Sequence, residues 1–133
     1  MYMLDTNICI YVIKKRPASF LAKFNAVENE NNELCVSVVT YAELQYGVER
    51  SLYKKMNECI VEDFIARLIV LSWDMNAARE YGKIRSTFEK KGIPIGNMDM
   101  LIAAHALSGN HTLVSNNIKE FCRIKNLKYE NWA

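Results

Sequence analysis

The sequence lacks the long apolar runs that cross or enter membranes. No stretch approaches the ~20 uninterrupted apolar residues that a membrane-spanning helix needs. Asp5 and Asn7 interrupt the first hydrophobic residues, so no export signal develops at the N-terminus. Of the 133 residues, 50% are hydrophobic and 24% are charged, which is typical of a globular protein with one core. We therefore expect a single cytoplasmic domain, 1–133, with no membrane association.

Cysteine and histidine are too few and too scattered for the common zinc and redox motifs. The four cysteines, Cys9, Cys35, Cys59 and Cys122, form no C-x-x-C pair, and we expect them to be reduced and buried. His105 and His111 lack the H-E-x-x-H spacing of a zinc-binding helix, and we interpret both as structural. The net charge of +2 does not by itself indicate a nucleic-acid-binding protein, although it can conceal an acidic pocket inside a basic rim.

Short apolar segments alternate with segments of helical pattern along the whole chain. The predicted strands are 1–4, 34–39, 68–71 and 112–115, with a possible fifth at 127–129. The predicted helices are 7–14, 17–27, 40–50, 53–67, 74–91, 98–108 and 118–121, and the polar run 28–33 is predicted to be a loop. Thr40 and Glu43 have the spacing of a capping box that opens the third helix, and Asp74 is suited to cap the fifth. This alternation predicts an α/β fold with a mainly parallel sheet of four to five strands, covered on both faces.

Carboxylate and amide side chains follow the predicted strands. Asp5 comes directly after the first strand, Glu43 lies a few residues past the second, and Asp99 stands in the first turn of the helix after Gly96. Three more polar residues follow the fourth strand: Asn116, Asn117 and Glu120. Parallel sheets bind ligands beyond the carboxyl ends of their strands. We therefore expect these side chains to meet at one edge of the sheet.

Asp99 gives the clearest indication of function. Ile102, Ala103 and Ala106 mark the core-facing side of its helix, so the carboxylate is predicted to point inward. A charged group in that position is costly unless it is paired, protonated or bound to a cation. The alternative interpretation is that Asp99 only stabilises the helix N-terminus, by about 0.3–1 kcal/mol.

Each of the other polar residues also has a purely structural interpretation. Glu43 completes the capping box, Asp5 can cap the first helix, the two asparagines suit a turn and Glu120 suits an exposed helix face. Their recurrence at the same end of the strands favours a shared site. Oxygen ligands without cysteine or histidine suit Mg2+ or Mn2+, and such centres commonly act on phosphodiesters.

Four segments together resemble the PIN-domain ribonucleases, specifically the VapC-type toxins of bacterial toxin–antitoxin pairs. They are Leu4-Asp5-Thr6-Asn7, then Thr40 to Gly47, then Pro94 to Asp99 with Leu101 to Ala106, and finally Leu113 to Asn117 with Glu120-Phe121. The resemblance extends over nearly the whole chain. It implies a three-layer α/β/α PIN-domain fold and cutting of structured RNA that depends on Mg2+ or Mn2+.

The resemblance also implies roles for individual residues. Asp5, Glu43 and Asp99 match the metal ligands and catalytic acids of the family, and Thr6 and Ser115 match its hydroxyl-bearing neighbours. Many relatives have aspartate where this chain has Asn117, so we interpret Asn116 and Asn117 as supporting residues and Glu120 as the alternative fourth carboxylate.

Partners are implied in the same way. A VapB-type antitoxin is expected to insert a tail into the active-site groove, with DNA contacted only through that antitoxin. A homodimer and a toxin–antitoxin hetero-oligomer are expected, and transfer RNA is the leading substrate, including the anticodon region of initiator tRNA.

Basic residues are expected around the acidic centre, because carboxylates repel a polyanion. The candidates for RNA binding are Lys14, Lys15, Arg16, Lys83, Arg85, Lys90, Lys91, Lys119 and Arg123. For any one of them, a solubilising surface charge is the favoured alternative. Tyr11, Tyr46 and Met98 are candidates for stacking on bases, although we predict that they pack in the core.

Two other functions are compatible with the sequence. The missing acid at Asn117 is consistent with a non-catalytic RNA- or protein-binding module of PIN fold. Asp5 at a strand end is also compatible with a covalent nucleophile in a phosphotransfer domain. That reading is disfavoured, because D-T-N lacks the second acidic residue that a haloacid-dehalogenase-like phosphatase has two positions later.

Overall fold

A five-stranded parallel sheet forms the centre of the computed structural model, which describes residues 1–30 and 33–132. The strand order is β3-β2-β1-β4-β5. The strands are β1 (Tyr2–Leu4), β2 (Leu34–Ser37), β3 (Ile69–Leu71), β4 (Thr112–Val114) and β5 (Lys128–Glu130). Every neighbouring pair is parallel, and Tyr2 lies opposite Leu34 on one side and Thr112 on the other. The predicted parallel sheet is confirmed, and its possible fifth strand is present.

Seven helices of the described chain connect these strands. They are α1 (Thr6–Lys14), α2 (Ala18–Asn29), α3 (Val38–Glu49), α4 (Lys54–Ile65), α5 (Met75–Lys91), α6 (Asn97–Ser108) and α7 (Ile118–Phe121). As predicted, Asp74 caps α5: its Oδ1 accepts a hydrogen bond from the Ala77 amide at 3.0 Å. Among the described residues, no helix is long and apolar enough to cross a membrane.

Helices pack on both faces of the sheet and form two separate hydrophobic cores. Successive side chains of a strand point to opposite faces, so the buried pair Met3 and Leu4 divides between the two cores. Leu4 packs in the core that is covered by helices α1 to α4. Met3 packs in the core that is covered by helices α5 to α7. The result is the predicted three-layer α/β/α arrangement, with β1 at its centre.

The start of α3 differs from the prediction. Strand β2 ends at Ser37, and Val38 and Val39 are helical although their β-branched side chains favour strands. Ser37 is the N-cap, and its Oγ accepts a hydrogen bond from the Val39 amide at 3.1 Å. Thr40 therefore lies buried inside the helix, and the predicted capping box with Glu43 is wrong. The Glu43 side chain is consequently available for contacts outside its own helix.

Smaller corrections concern α2 and the cysteines. Helix α2 continues to Asn29, into the polar run that was predicted to be a loop, while residues 31 and 32 lie outside the described residues. Cys9 and Cys35 are buried as predicted. Cys59 and Cys122 are exposed, because they lie on solvent-facing sides of α4 and of the turn after α7.

Candidate active site at the carboxyl edge of the sheet

Asp5 lies at the end of the central strand and is almost completely buried, with 3% of its surface exposed. Its Oδ1 accepts a hydrogen bond from the Ile8 amide at 2.9 Å and so caps α1. The Ser115 hydroxyl, at the end of β4, also hydrogen-bonds the carboxylate. Burial raises the pKa of Asp5 from 3.8 to about 6; these two hydrogen bonds oppose the rise, and the nearby carboxylates of Asp99 and Glu43 add to it.

Glu43 reaches the same edge from α3. The Thr6 hydroxyl, in the first residue of α1, donates a hydrogen bond to Glu43 Oε1 at 2.6 Å. Thr6 Oγ1 also lies 3.4 Å from the hydroxyl oxygen of Thr40, which is fully buried. Thr6 thus holds the carboxylate of Glu43 near enough to Asp5 to contribute to the rise of its pKa, and Thr40 contacts Thr6 from the helix that carries Glu43.

Asp99 approaches from the first turn of α6 and is partly buried. Its pKa is raised, first by this burial and then by the negative charges of Glu120 and Glu43. A hydrogen bond from the Asn117 side chain acts in the opposite direction. Asn117 Nδ2 also donates to Glu120 Oε2 at 2.9 Å. The amide at position 117 therefore links two carboxylates, and Glu120 supplies a fourth acid to the cluster.

Asn116 does not join this group. It is exposed, and its Nδ2 donates to the hydroxyl of Tyr11 at 3.1 Å, at the rim of the site. The other residues predicted for the site do come together at the carboxyl ends of β1, β2 and β4. They are Asp5, Thr6, Glu43, Asp99, Ser115, Asn117 and Glu120.

In the described part of the chain, the four clustered carboxylates have no basic partner. Within residues 1–30 and 33–132, every ion pair involves another acid: Glu49 with Lys54, Glu28 with Arg67, Glu80 with Lys83 and Glu89 with Arg85. In the same residues, no three acidic, histidine or cysteine side chains are already arranged as the ligands of one ion. The carboxylates are therefore close neighbours rather than a closed ligand shell. Their donor atoms are all oxygen, which fits a hard divalent cation.

The predicted RNA-binding residues lie on several parts of the surface. Lys14, Lys15 and Arg16 are exposed at the end of α1, and Lys14 lines a groove of about 530 Å³ together with Glu43. Lys119 is exposed next to Glu120. Two further candidates, Lys83 and Arg85, and the exposed pair Lys90 and Lys91 lie on α5. Their contact with RNA stays a prediction.

Arg85 is connected to the first turn of α6. Its Nη1 donates to the Tyr81 hydroxyl at 3.0 Å, and that hydroxyl donates to Asn97 Oδ1 at 2.6 Å.

The core packing predicted for three other side chains is correct only in part. Tyr11 is half-buried and stacks on Phe20, whereas Tyr46 and Met98 are 66% and 47% exposed.

Two residues near the site were not among the predicted site residues. Thr40 faces Thr6, and its spacing of three residues from Glu43 on one helix was the signal that could have revealed it. Ser37 lies fully buried, and its Oγ is 2.7 Å from His105 Nδ1. His105 is buried, as its structural interpretation requires, and burial is the main cause that lowers its pKa.

Comparison with known proteins agrees with this geometry. The PIN domain family matches residues 2–127. The chain is 46% identical to Ribonuclease VapC2 of Rickettsia felis and 42% identical to the tRNA(fMet)-specific endonuclease VapC of Shigella flexneri, in each case over 99% of this chain and 98% of the relative. In the crystal structure of VapBC2 from Rickettsia felis bound to a promoter DNA fragment, one chain superposes with a TM-score of 0.92 at 45% identity, over 99% of this chain and 98% of that one. The chain therefore belongs to the PIN-domain family, among its VapC-type ribonucleases.

Proposed function

We propose that this chain is a divalent-cation-dependent endoribonuclease and the toxin of a bacterial toxin–antitoxin pair. The observation that carries the proposal is the cluster of four carboxylates, drawn from four segments to one edge of the sheet and left without a basic partner in the described chain. Such a cluster is unfavourable unless a cation relieves its mutual repulsion. The relatives named as ribonucleases support the same reaction.

Asp5, Glu43 and Asp99 are the side chains that would hold Mg2+ or Mn2+. When bound, the cation would lower the pKa of water and neutralise charge that develops on phosphorus. The protein contributes orientation: Thr6 fixes Glu43, Ser115 fixes Asp5, and Asn117 fixes Asp99 and Glu120. Because Glu120 Oε2 accepts from Asn117, we assign to Glu120 Oε1 the proton that leaves the attacking water.

Replacement of Asp99 by Asn tests the reaction directly. The change keeps the shape of the side chain and removes one negative charge, so Asp99→Asn is expected to lose cutting by about 100-fold or more with no loss of thermal stability. Asp63→Asn is the matched control, because Asp63 is exposed on α4, away from the cluster. Cutting should also stop with EDTA and return with Mg2+ or Mn2+. Wild-type cutting by the Asp99→Asn protein in Mg2+ would refute the mechanism.

Transfer RNA is the substrate that we propose, with the anticodon region of initiator tRNA as the preferred target. The relative from Shigella flexneri, named as a tRNA(fMet)-specific endonuclease, supports this choice. Sequencing of cellular RNA ends after a brief induction is expected to show new ends within tRNA anticodon loops. New ends confined to messenger RNA would contradict the proposal.

A VapB-type antitoxin is the partner that we propose, together with a homodimer of this chain. The groove between α1, α3 and α4 offers apolar side chains such as Ile10, Ile13 and Val61, with Glu43 at its rim. An antitoxin tail would bury apolar residues there and place an arginine or lysine near the carboxylates. Co-expression with the neighbouring reading frame should yield a co-purifying complex, and repeated failure to co-purify would count against it.

A non-catalytic module of the same fold is the alternative that the open arrangement of the carboxylates favours. Titration calorimetry with Mn2+ separates the two: binding supports the nuclease, whereas no binding and no effect of chelation support the module. The phosphotransfer alternative is weakened by the surroundings of Asp5, whose carboxylate is buried and already accepts hydrogen bonds from Ile8 and Ser115.

A further inference from the structure

A basic cleft lies between α5 and the segment that joins α7 to β5, on the face of the sheet opposite α1 to α4. It encloses about 500 Å³ and has Ile84, Phe88, Leu107 and Ile124 as its apolar floor. Its rim carries four cations: Lys83, Lys91, Arg123 and Lys125. The rim also carries one carboxylate, Glu80, which lies 3.4 Å from Lys83 Nζ.

The side chains that line this cleft carry more net positive charge than the chain as a whole. The whole chain has a net charge of only +2, whereas the cleft combines four cations with a single acid. In the part of the chain that the structure describes, Lys91, Arg123 and Lys125 form no ion pair. Like charges gathered over an apolar floor repel each other and focus a positive potential in the concave surface. That arrangement favours a polyanionic ligand.

Two structural elements connect the cleft with the acidic centre. Arg123 follows Glu120 by three residues, and its amide donates to the Glu120 carbonyl at 3.3 Å, so one helical turn carries both side chains. Phe88 lines the cleft and also a second groove that reaches Asn97 and Met100, in the first turn of α6, which carries Asp99. The cleft and the neighbouring groove are therefore lined by elements that also carry Glu120 and Asp99.

We infer that the cleft binds the phosphate backbone of the RNA next to the bond that is cut, an inference that rests on the proposed nuclease function. The four carboxylates repel an approaching polyanion, and Arg123, one helical turn from Glu120, together with the other cations of the rim offsets that repulsion. Contacts of this kind position an RNA strand without reading its sequence. An acidic protein is the competing occupant, but nothing would require such a partner to sit beside the carboxylates.

The test is the salt dependence of RNA binding, measured in EDTA so that no cutting occurs. Fluorescence anisotropy of a labelled tRNA would be recorded from low to high KCl for the wild type and for Arg123→Gln/Lys125→Gln. Each lost phosphate contact removes about 0.7–0.9 from the slope of log Kobs against log salt, so the slope should fall by about 1.4–1.8. Lys23→Gln/Lys55→Gln is the matched control, since it removes two exposed cations from α2 and α4, and its slope should stay close to that of the wild type.

A substitution that is expected to strengthen RNA binding excludes simple damage to the fold as the cause of the effects. Glu80→Gln removes the only acid of the rim and should tighten RNA binding by about two- to fivefold. Equal slopes for the cleft variant and the control, or no gain for Glu80→Gln, would overturn the inference. Polyglutamate is a probe for the competing occupant: if the cleft variant loses polyglutamate binding while its RNA binding is unchanged, the cleft serves an acidic protein.

The failure of the proposed function gives a different result from the failure of this inference. If the wild type does not cut RNA with Mg2+ or Mn2+ present, the nuclease proposal fails, whatever the salt slopes are. If the wild type cuts RNA and the cleft variant keeps the wild-type slope, only the cleft assignment fails.

Discussion

Replacement of Asp5 by Asn is expected to stabilise the cation-free protein at neutral pH. Asp5 is 3% exposed and lies near the carboxylates of Asp99 and Glu43, so its ionised form is disfavoured. Asparagine has nearly the same shape, can still accept the capping hydrogen bond from the Ile8 amide, and carries no charge. The variant should therefore keep the fold and lose the electrostatic cost, while it also loses a proposed cation ligand.

The size of the effect follows from the pKa of Asp5, which is 3.8 in the unfolded chain and about 6 in the folded protein. This shift corresponds to about 3 kcal/mol of unfolding free energy. Because the folded state binds the proton more tightly, stability is highest below the unfolded pKa and is lost as the pH rises through the folded pKa. The loss is complete above about pH 7. Asp5→Asn should thus be more stable than the wild type by up to about 3 kcal/mol at pH 7.5, with no difference near pH 3.5.

Urea unfolding in EDTA, followed by the fluorescence of Trp73 and Trp132, measures this difference at a series of pH values. Asp63→Asn serves as the control, because Asp63 is exposed. Its replacement should change the unfolding free energy only slightly, without the increase between pH 3.5 and pH 7.5 that is expected for Asp5→Asn. Added Mg2+ should stabilise the wild type more than Asp5→Asn. A variant that is less stable than the wild type at pH 7.5, or that differs by the same amount at every pH, would refute the electrostatic reasoning.

Two further substitutions test contacts of the site. Thr6→Val removes the 2.6 Å hydrogen bond to Glu43, so kcat for RNA cutting should fall by about 10- to 100-fold. Thr6→Ser keeps the hydroxyl and should retain most of the wild-type kcat. A wild-type kcat for Thr6→Val would contradict the role of Thr6. Ser37→Ala removes the partner of the buried His105 Nδ1 and the N-cap of α3, and the two losses together should reduce the unfolding free energy in urea by about 1–3 kcal/mol. A loss for Ser37→Ala below about 0.5 kcal/mol would show that this buried hydrogen bond contributes little.

The sheet could be predicted from the sequence because its signals are local. Short apolar runs separated by helical segments define the strands, and parallel order follows from their alternation. The end of β2 could not be predicted in this way. Its ladder ends at Ser37, which lies opposite Leu71, the last residue of the neighbouring strand β3, and which caps α3 through the Val39 amide. Val38 and Val39 continue as helix, and the helix start moves from Thr40 to Ser37.

The acidic cluster was predictable for a similar reason, since parallel strands bring the residues that follow them to one edge. The hydrogen bonds inside the cluster were not. Thr6 and Glu43 are 37 residues apart in the chain, and their contact depends on how α1 and α3 pack. The exposure of Tyr46 and Met98 was not predicted either, because apolar residues lie on more than one face of α3 and α6 and only some of them can be covered.

Helix N-termini reduce the repulsion in the acidic cluster but do not remove it. Asp5 caps α1, and Asp99 and Glu120 lie in the first turns of α6 and α7. A carboxylate gains about 0.3–1 kcal/mol from such a position, whereas the ionisation of Asp5 costs the folded protein about 3 kcal/mol. This cost of about 3 kcal/mol already includes the capping hydrogen bond from Ile8, and all of it is left for a bound cation, a proton or a basic side chain of a partner to offset. A divalent cation and an antitoxin arginine would satisfy the same carboxylates, so we expect each to weaken the binding of the other.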